Sequence, residues 1–76
     1  MKYADGQTAM IGDELELGGE MTGIVVACLD ERQFTPEFPE SRWGVLKSGV
    51  LVNSEQAGII HYPEPDSHVL LIRRQQ

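Results

Sequence analysis

An alternating segment followed by two glycines, ELELGG at residues 14–19, constrains the fold of this chain more than any other feature. Its leucines and glutamates alternate with the period of two that indicates a strand with one buried and one solvated face. The two glycines supply the positive φ that a tight hairpin turn needs. The returning run, residues 22–29, is rich in β-branched residues and apolar on both faces, which is typical of a central strand. The sequence therefore predicts a β-hairpin whose second strand lies inside a sheet.

The middle of the chain interrupts this β pattern. The segment TPEFPESRWGVLKSG, residues 35–49, carries two prolines and does not fit a continuous strand. A short helical turn fits better, because Pro39 can begin it and Gly49 can end it in a left-handed conformation. Trp43 and Leu46 lie three residues apart, on one face of such a turn. We expect the turn to cover the open end of a sheet, with Trp43 over the core.

Two or three further strands are predicted, in the segments VLVNS from residue 50, AGIIHYP from residue 57 and HVLLIRR from residue 68. Short strands at this spacing usually curl into a barrel or form a pair of packed sheets. Residues 1–76 are predicted to form a single domain, because a chain of this length has little core to spare. Apolar packing must hold it together, since Cys28 is the only cysteine and no Cys/His spacing suggests a structural zinc.

Charge and hydropathy argue against several kinds of partner. Twelve acidic residues against six basic ones give a formal net charge of −6, which opposes phosphate backbones and anionic lipid. Neither nucleic acid nor a membrane is therefore expected as a partner. The longest unbroken apolar segment, residues 24–29, is too short to span a bilayer, and the N-terminal residues lack a run of signal-peptide length. Together with the lone cysteine, this predicts a cytoplasmic protein.

The stretch HYPEPDSH, residues 61–68, is the clearest candidate for a chemical site. His61 and His68 could bind a metal with Glu64 or Asp66, because imidazole and carboxylate are ordinary zinc ligands. The spacing matches no specific zinc pattern and the prolines favour an extended loop. We therefore expect a turn between strands, with no metal and no cofactor.

Catalysis is not expected either. Cys28 lies in an apolar strand, where an inert buried thiol is the usual state. Ser48, Ser54 and Ser67 occupy turn-like contexts without a nucleophile-elbow signature, and no pair of carboxylates stands out. The chain is accordingly predicted not to be an enzyme.

The segment GDELELGGEMTGIVV resembles the opening hairpin of SH3-like barrels, in which Gly-Asp precedes an alternating strand and a Gly-rich turn. Through YADG, IGD, TGIVV, the tryptophan, KSGVLV and GIIHY in order, the whole chain also resembles a group of small uncharacterised bacterial proteins with this barrel. The resemblance implies an all-β fold, a small SH3-like barrel of about five strands with one short helical turn in the central loop. The hairpin is similar to the KOW motif as well, but the basic residues of an RNA-binding surface are absent, so that likeness indicates the fold alone.

Two groups of residues are candidates for binding a partner. The acids Glu14, Glu16 and Glu20 are expected on one exposed surface, which either is a solvated face that serves solubility or complements a basic protein. Phe38 and Tyr62 are the aromatic candidates, because SH3-like barrels commonly bind through loop aromatics and such side chains anchor interfaces. The leading hypothesis is a non-catalytic protein-interaction module of a bacterial cytoplasm. The alternatives left open are an immunity-type inhibitor that blocks a partner toxin, and a small metal-binding protein or enzyme; the sequence does not predict an oligomeric state.

Overall fold

A computed structural model describes residues 1–64 and 67–74 of the chain. Their regular elements are six strands and one short helix, in the order β1 (Glu14–Gly18), β2 (Met21–Cys28), β3 (Gln33–Phe34), α1 (Glu40–Trp43), β4 (Val50–Ser54), β5 (Gly58–Tyr62) and β6 (Leu70–Arg73). The prediction of an all-β fold with a short helical turn in the central loop is confirmed. The sequence did not predict β3, which is only two residues long.

The strands form one antiparallel sheet in the order β5-β4-β2-β1-β6. β2 is the central strand: β4 pairs along one of its edges, and β1 and then β3 share the other. β5 and β6 therefore lie at opposite ends of the sheet. Within the described residues no pairing between them closes it.

The predicted hairpin is present, with its turn one residue later than expected. Gly18 pairs with Met21, so Gly19 and Glu20 are the central turn residues. Their φ values of 59° and 66° are those of a turn that matches the twist of the flanking strands. The register shifts between Glu16 and Gly18, which places the first glycine in a bulge rather than in the turn.

The inner face of the sheet packs around the main core cluster, whose buried members are Tyr3, Ala9, Leu15, Leu17, Val25, Cys28, Val50, Val52 and Val69. Leu15 and Leu17 point inward, as the alternation predicted. Ile60 and Tyr62 of β5 pack against this cluster, and so does Leu71 of β6. Because strands from opposite ends of the sheet reach the same cluster, the sheet curls around it.

A second, smaller cluster of Ala27, Leu29 and Leu51 lies on the outer face. Trp43 and Leu46 pack against it, both half-buried. The α1 segment therefore covers one end of the outer face, and Trp43 contacts this second cluster rather than the main core cluster.

The helix α1 begins after Pro39, as predicted, but it ends at Gly44 rather than at Gly49. Arg32 replaces the expected cap, because its guanidinium donates hydrogen bonds to the carbonyls of Gly44 and Leu46, at 3.1 and 3.0 Å. Gly49 has a positive φ of 86° for a different reason, since it leads the chain into β4 beside Tyr62.

Candidate functional site

The part of the outer face that α1 leaves uncovered is a continuous surface across five strands. Cross-strand pairing aligns one row of residues over it, namely Arg73, Glu14, Ile24, Asn53 and Ile59, from β6 to β5. A second row runs alongside with Leu70, Glu16 and Thr22. Directly paired residues share a face of a sheet, so these eight residues form one surface, called here the open outer face.

The open outer face exposes several large apolar side chains. Ile24, Ile59 and Leu70 are 41 %, 40 % and 49 % exposed. Single exposed apolar residues are ordinary, whereas several on one rigid surface are typical of a binding site. A depression of about 410 Å³ between β1, β2 and β6 is lined by Gly12, Glu14, Ile24, Arg73 and Arg74. A smaller one of about 170 Å³ adds Asn53 and Glu55 on the other side of Ile24.

The three acids predicted to bind a partner differ in their surroundings. Glu14 is ion-paired with Arg73, whose Nε lies 3.0 Å from Oε1 of the carboxylate. Glu16 is exposed and makes no ion pair with the described residues. Glu20 is exposed at the tip of the β1–β2 turn. The structure thus places Glu14 and Glu16 on one face and leaves the charge of Glu16 available to a partner.

The two predicted aromatic contacts lie elsewhere. Phe38 is half-buried beside α1, where its ring centroid is 5.9 Å from that of Trp43. Tyr62 is half-buried and packs against the main core cluster from the inner face. Neither belongs to the open outer face, so the acidic and aromatic candidates do not form one site, and partner binding by either aromatic remains a prediction.

The two histidines of residues 61–68 have different neighbours. His61 Nε2 lies 2.9 Å from the carbonyl oxygen of Ser48. His68 lies beside Gly18, because a methyl group substituted at that glycine would be 3.8 Å from the histidine Cβ. Pro65 and Asp66, the centre of this stretch, lie outside the described residues. In residues 1–64 and 67–74 no group of three or more His, Cys, Asp or Glu side chains could hold a metal.

A buried charged cluster that sequence reasoning missed supports one side of the open outer face. Asp13 is fully buried, and its carboxylate accepts hydrogen bonds from the Tyr3 hydroxyl, the Met10 backbone N–H and the Arg74 guanidinium. Burial raises the pKa of Asp13, but the Arg74, Tyr3 and Met10 donors outweigh it, so the pKa lies below its ordinary value. Arg74 is thereby fixed at the rim of the larger depression.

Cys28 shows no sign of a reactive thiol. Its Sγ lies 3.5 Å from the carbonyl oxygen of Ala9, and burial raises the pKa of the thiol to about 11. The thiolate, which is the nucleophile, is therefore scarce near neutral pH.

The described residues include no helix long and apolar enough to cross a membrane. Comparison of the chain with protein-family models, with curated proteins and with solved structures finds no match. The basis for a functional proposal is therefore the chemistry of the open outer face.

Proposed function

We propose that this chain is a non-catalytic protein-interaction module of a bacterial cytoplasm, and that it binds a basic protein partner on the open outer face. One observation carries the proposal: exposed Ile24 and Leu70 lie on the same rigid sheet surface as Glu16, whose carboxylate has no ion-pair partner among the described residues. Apolar contact area supplies affinity and a nearby charge supplies orientation, which is the composition of a protein-binding surface.

We propose further that the sheet is an incompletely closed SH3-like barrel. The strong curl supports this, because Ile60 of β5 and Leu71 of β6 pack against the same core cluster from opposite ends of the sheet. The β1–β2 hairpin with its bulge and positive-φ turn also agrees with the resemblance.

The charges on the open outer face favour a basic partner. Arg73 neutralises Glu14, so Glu16 and the neighbouring Glu55 carry the available negative charge. The net charge of −6 adds a long-range attraction for a basic protein. Charge complementarity of this kind mainly raises the association rate and makes it sensitive to salt.

Two features support a role without catalysis. Both oxygen atoms of the buried Asp13 carboxylate are engaged by donors, and the Cys28 thiol has a raised pKa. Neither group is poised to accept a proton from a substrate or to attack one.

The experiment begins with a partner retained by the immobilised protein from a lysate of the native host. The association rate of that partner is then measured for the parent, for Glu16→Lys and for the matched control Glu37→Lys, which reverses an exposed charge next to α1. We expect Glu16→Lys to slow association, with the largest effect at low salt, and Glu37→Lys to behave like the parent. Equal association rates for all three proteins, at low and at moderate salt, would exclude the open outer face as the binding site.

An immunity-type inhibitor is the second candidate, and the exposed acids Glu16 and Glu55 favour it because they suit the basic cleft of a nuclease-like toxin. A toxin gene next to this one would support it. The direct test is whether the purified protein inhibits that toxin and whether Glu16→Lys weakens the inhibition.

A further inference from the structure

The edge strand β5 lacks the features that normally prevent a sheet edge from pairing with another chain. Native proteins protect such edges with charged residues, proline, bulges or very short strands. β5 has the sequence GIIHY, with neither charge nor proline, and it pairs with β4 over five consecutive residues without a register shift. Along its other edge no described strand pairs with it.

The other edges of the sheet are protected. β6 carries Arg73, its register with β1 shifts between Glu14 and Leu15, and Arg74 ties its end to the carbonyl of Thr8. β3 is two residues long. Among the strands that the structure describes, β5 is thus the one regular and uncharged edge.

We propose that the edge of β5 accepts an extended segment of the basic partner as an additional strand. This inference rests on the proposed function and specifies how that partner binds. In strand addition, main-chain hydrogen bonds supply affinity and alternate side chains supply specificity. The row of the open outer face ends at Ile59, so side chains of the added strand would extend that surface.

Charge at the two ends of β5 selects the occupant. Exposed Glu55 precedes the strand and exposed Glu64 follows it, so an apolar segment with Lys or Arg at both ends is complementary in either direction.

A second copy of the chain is disfavoured by the same charges. Antiparallel pairing of two β5 strands about Ile60 would place Glu64 of one copy opposite Gln56 of the other, one residue from Glu55. Each copy also carries a net charge of −6.

The His61 ring leaves this edge clear. Its Nε2 is held 2.9 Å from the carbonyl oxygen of Ser48, two residues before β4, so the side chain is directed toward the neighbouring strand. The described backbone hydrogen bonds outside the strands also include none from Gly58 to His61, so this part of β5 can accept an incoming strand.

The test uses a synthetic peptide of alternating valine and threonine with lysines at both ends. Its binding to the full chain is followed by NMR, through the chemical shifts and hydrogen exchange of backbone amides. Two control peptides are the same peptide with N-methyl groups along its central backbone and the same peptide with glutamates at both ends. The first removes main-chain hydrogen bonds while keeping the side chains, and the second reverses the terminal charges.

Two protein variants are compared: Ile59→Lys on β5, and the control Val45→Lys, which introduces the same charge at an exposed apolar position outside the open outer face. We expect the lysine peptide to change the chemical shifts of the β5 amides and to slow their hydrogen exchange. Ile59→Lys should weaken binding of this peptide roughly tenfold, because an edge lysine resists burial beside a new strand. Val45→Lys should change binding little, because Val45 follows α1 and belongs neither to β5 nor to the open outer face. Both control peptides should fail to protect β5.

The proposal is overturned if added peptide causes saturable chemical-shift changes at Ile24 and Leu70 but not on β5. It is also overturned if the N-methylated peptide binds as well as its parent. No saturable change in β5 at millimolar peptide also overturns it. Concentration-dependent protection of β5 without peptide would make a second copy the occupant and overturn it too. If the peptide protects β5 but the native partner associates with Glu16→Lys as fast as with the parent, only the proposed function is contradicted.

Discussion

The Tyr3 hydroxyl donates a hydrogen bond to the buried carboxylate of Asp13, with 2.5 Å between Oη and Oδ2. The same carboxylate accepts from Arg74 Nε at 3.0 Å and from the Met10 backbone N–H at 3.0 Å. One side chain therefore joins the N-terminal segment to the residue that follows β6. A buried charge is tolerated when it is paired and hydrogen-bonded, so this cluster is stable only when it is complete.

Asp13→Ala should destabilise the protein by roughly 3 kcal/mol, because it leaves the partly buried Arg74 guanidinium and the Tyr3 hydroxyl without their acceptor. Urea unfolding followed by tryptophan fluorescence measures the change. Glu37→Ala, which removes an exposed acid, is the control and should unfold like the parent. A variant with parental stability would contradict the importance of this cluster.

Stability should decrease in acid, as the pH falls below about 5. The folded pKa of Asp13 lies below its ordinary value of 3.8, so its contribution is present above that value and is lost as the pH falls through the folded pKa. Thermal melts at decreasing pH should show a shallower decline for Asp13→Asn than for the parent. Some decline should remain, because hydrogen bonds from Gln7 and from the Met1 amine also lower the pKa values of Asp5 and Asp30. Parallel curves would refute the assignment to Asp13.

Cys28 should not react with a thiol reagent near pH 8 in the native protein, because the side chain is buried and its pKa is raised to about 11. Absorbance of the released chromophore from a disulfide reagent measures the reaction. Reaction should be complete after denaturation in guanidinium. A Ser41→Cys variant introduces a thiol at an exposed position of α1 and should react at once. Rapid labelling of the parent would show that Cys28 is accessible.

Trp43→Ala should cost about 2 kcal/mol, less than removal of a fully buried tryptophan, because Trp43 is half-buried against the small outer cluster. Chemical denaturation followed by far-ultraviolet circular dichroism provides the free energy of unfolding. Val45→Ala is the matched control in the same segment, since Val45 is 79 % exposed and should contribute almost nothing. If Trp43→Ala lowers the free energy of unfolding as little as Val45→Ala does, α1 does not pack stably on the sheet.

Gly49→Ala should prevent folding, whereas Gly58→Ala should only weaken it. Both glycines have positive φ, at 86° and 79°, so both substitutions incur the cost of the left-handed region, about 1–2 kcal/mol. A Cβ at Gly49 would also lie 1.7 Å from the Tyr62 carbonyl oxygen, while one at Gly58 would meet nothing within 4 Å. Yield and thermal melting of the two variants separate the steric clash from the backbone strain. Similar melting temperatures would rule out the close approach.

Local patterns were sufficient to predict much of the fold. Alternation alone placed Leu15 and Leu17 inside, and Pro39 correctly marked the start of α1. The turn was displaced because Gly18 is used by a bulge, which leaves Glu20 in a positive-φ position that a sequence pattern assigns to glycine. The role of Gly49 depends on its contact with Tyr62, which is formed only in the sheet.

The candidate site was predicted only in part. Glu14 and Glu16 were expected to share an exposed face, and they do. The exposure of Ile24 was not predictable, because residues 22–29 are apolar on both faces and the path of the α1 segment decides which part is covered. The burial of Asp13 was missed for a similar reason, since its partner Arg74 is 61 residues away in sequence.

The separation of 61 residues between Asp13 and Arg74 affects the order in which the chain is expected to fold. The Asp13–Arg74 pair closes a loop of most of the chain, and loops of that size are closed after local hairpins have formed. We therefore expect the β1–β2 hairpin to form early and β6 to dock late during folding. Interactions absent from the transition state act on the unfolding rate. We therefore expect loss of the Asp13–Arg74 pair to raise the unfolding rate more than it lowers the folding rate.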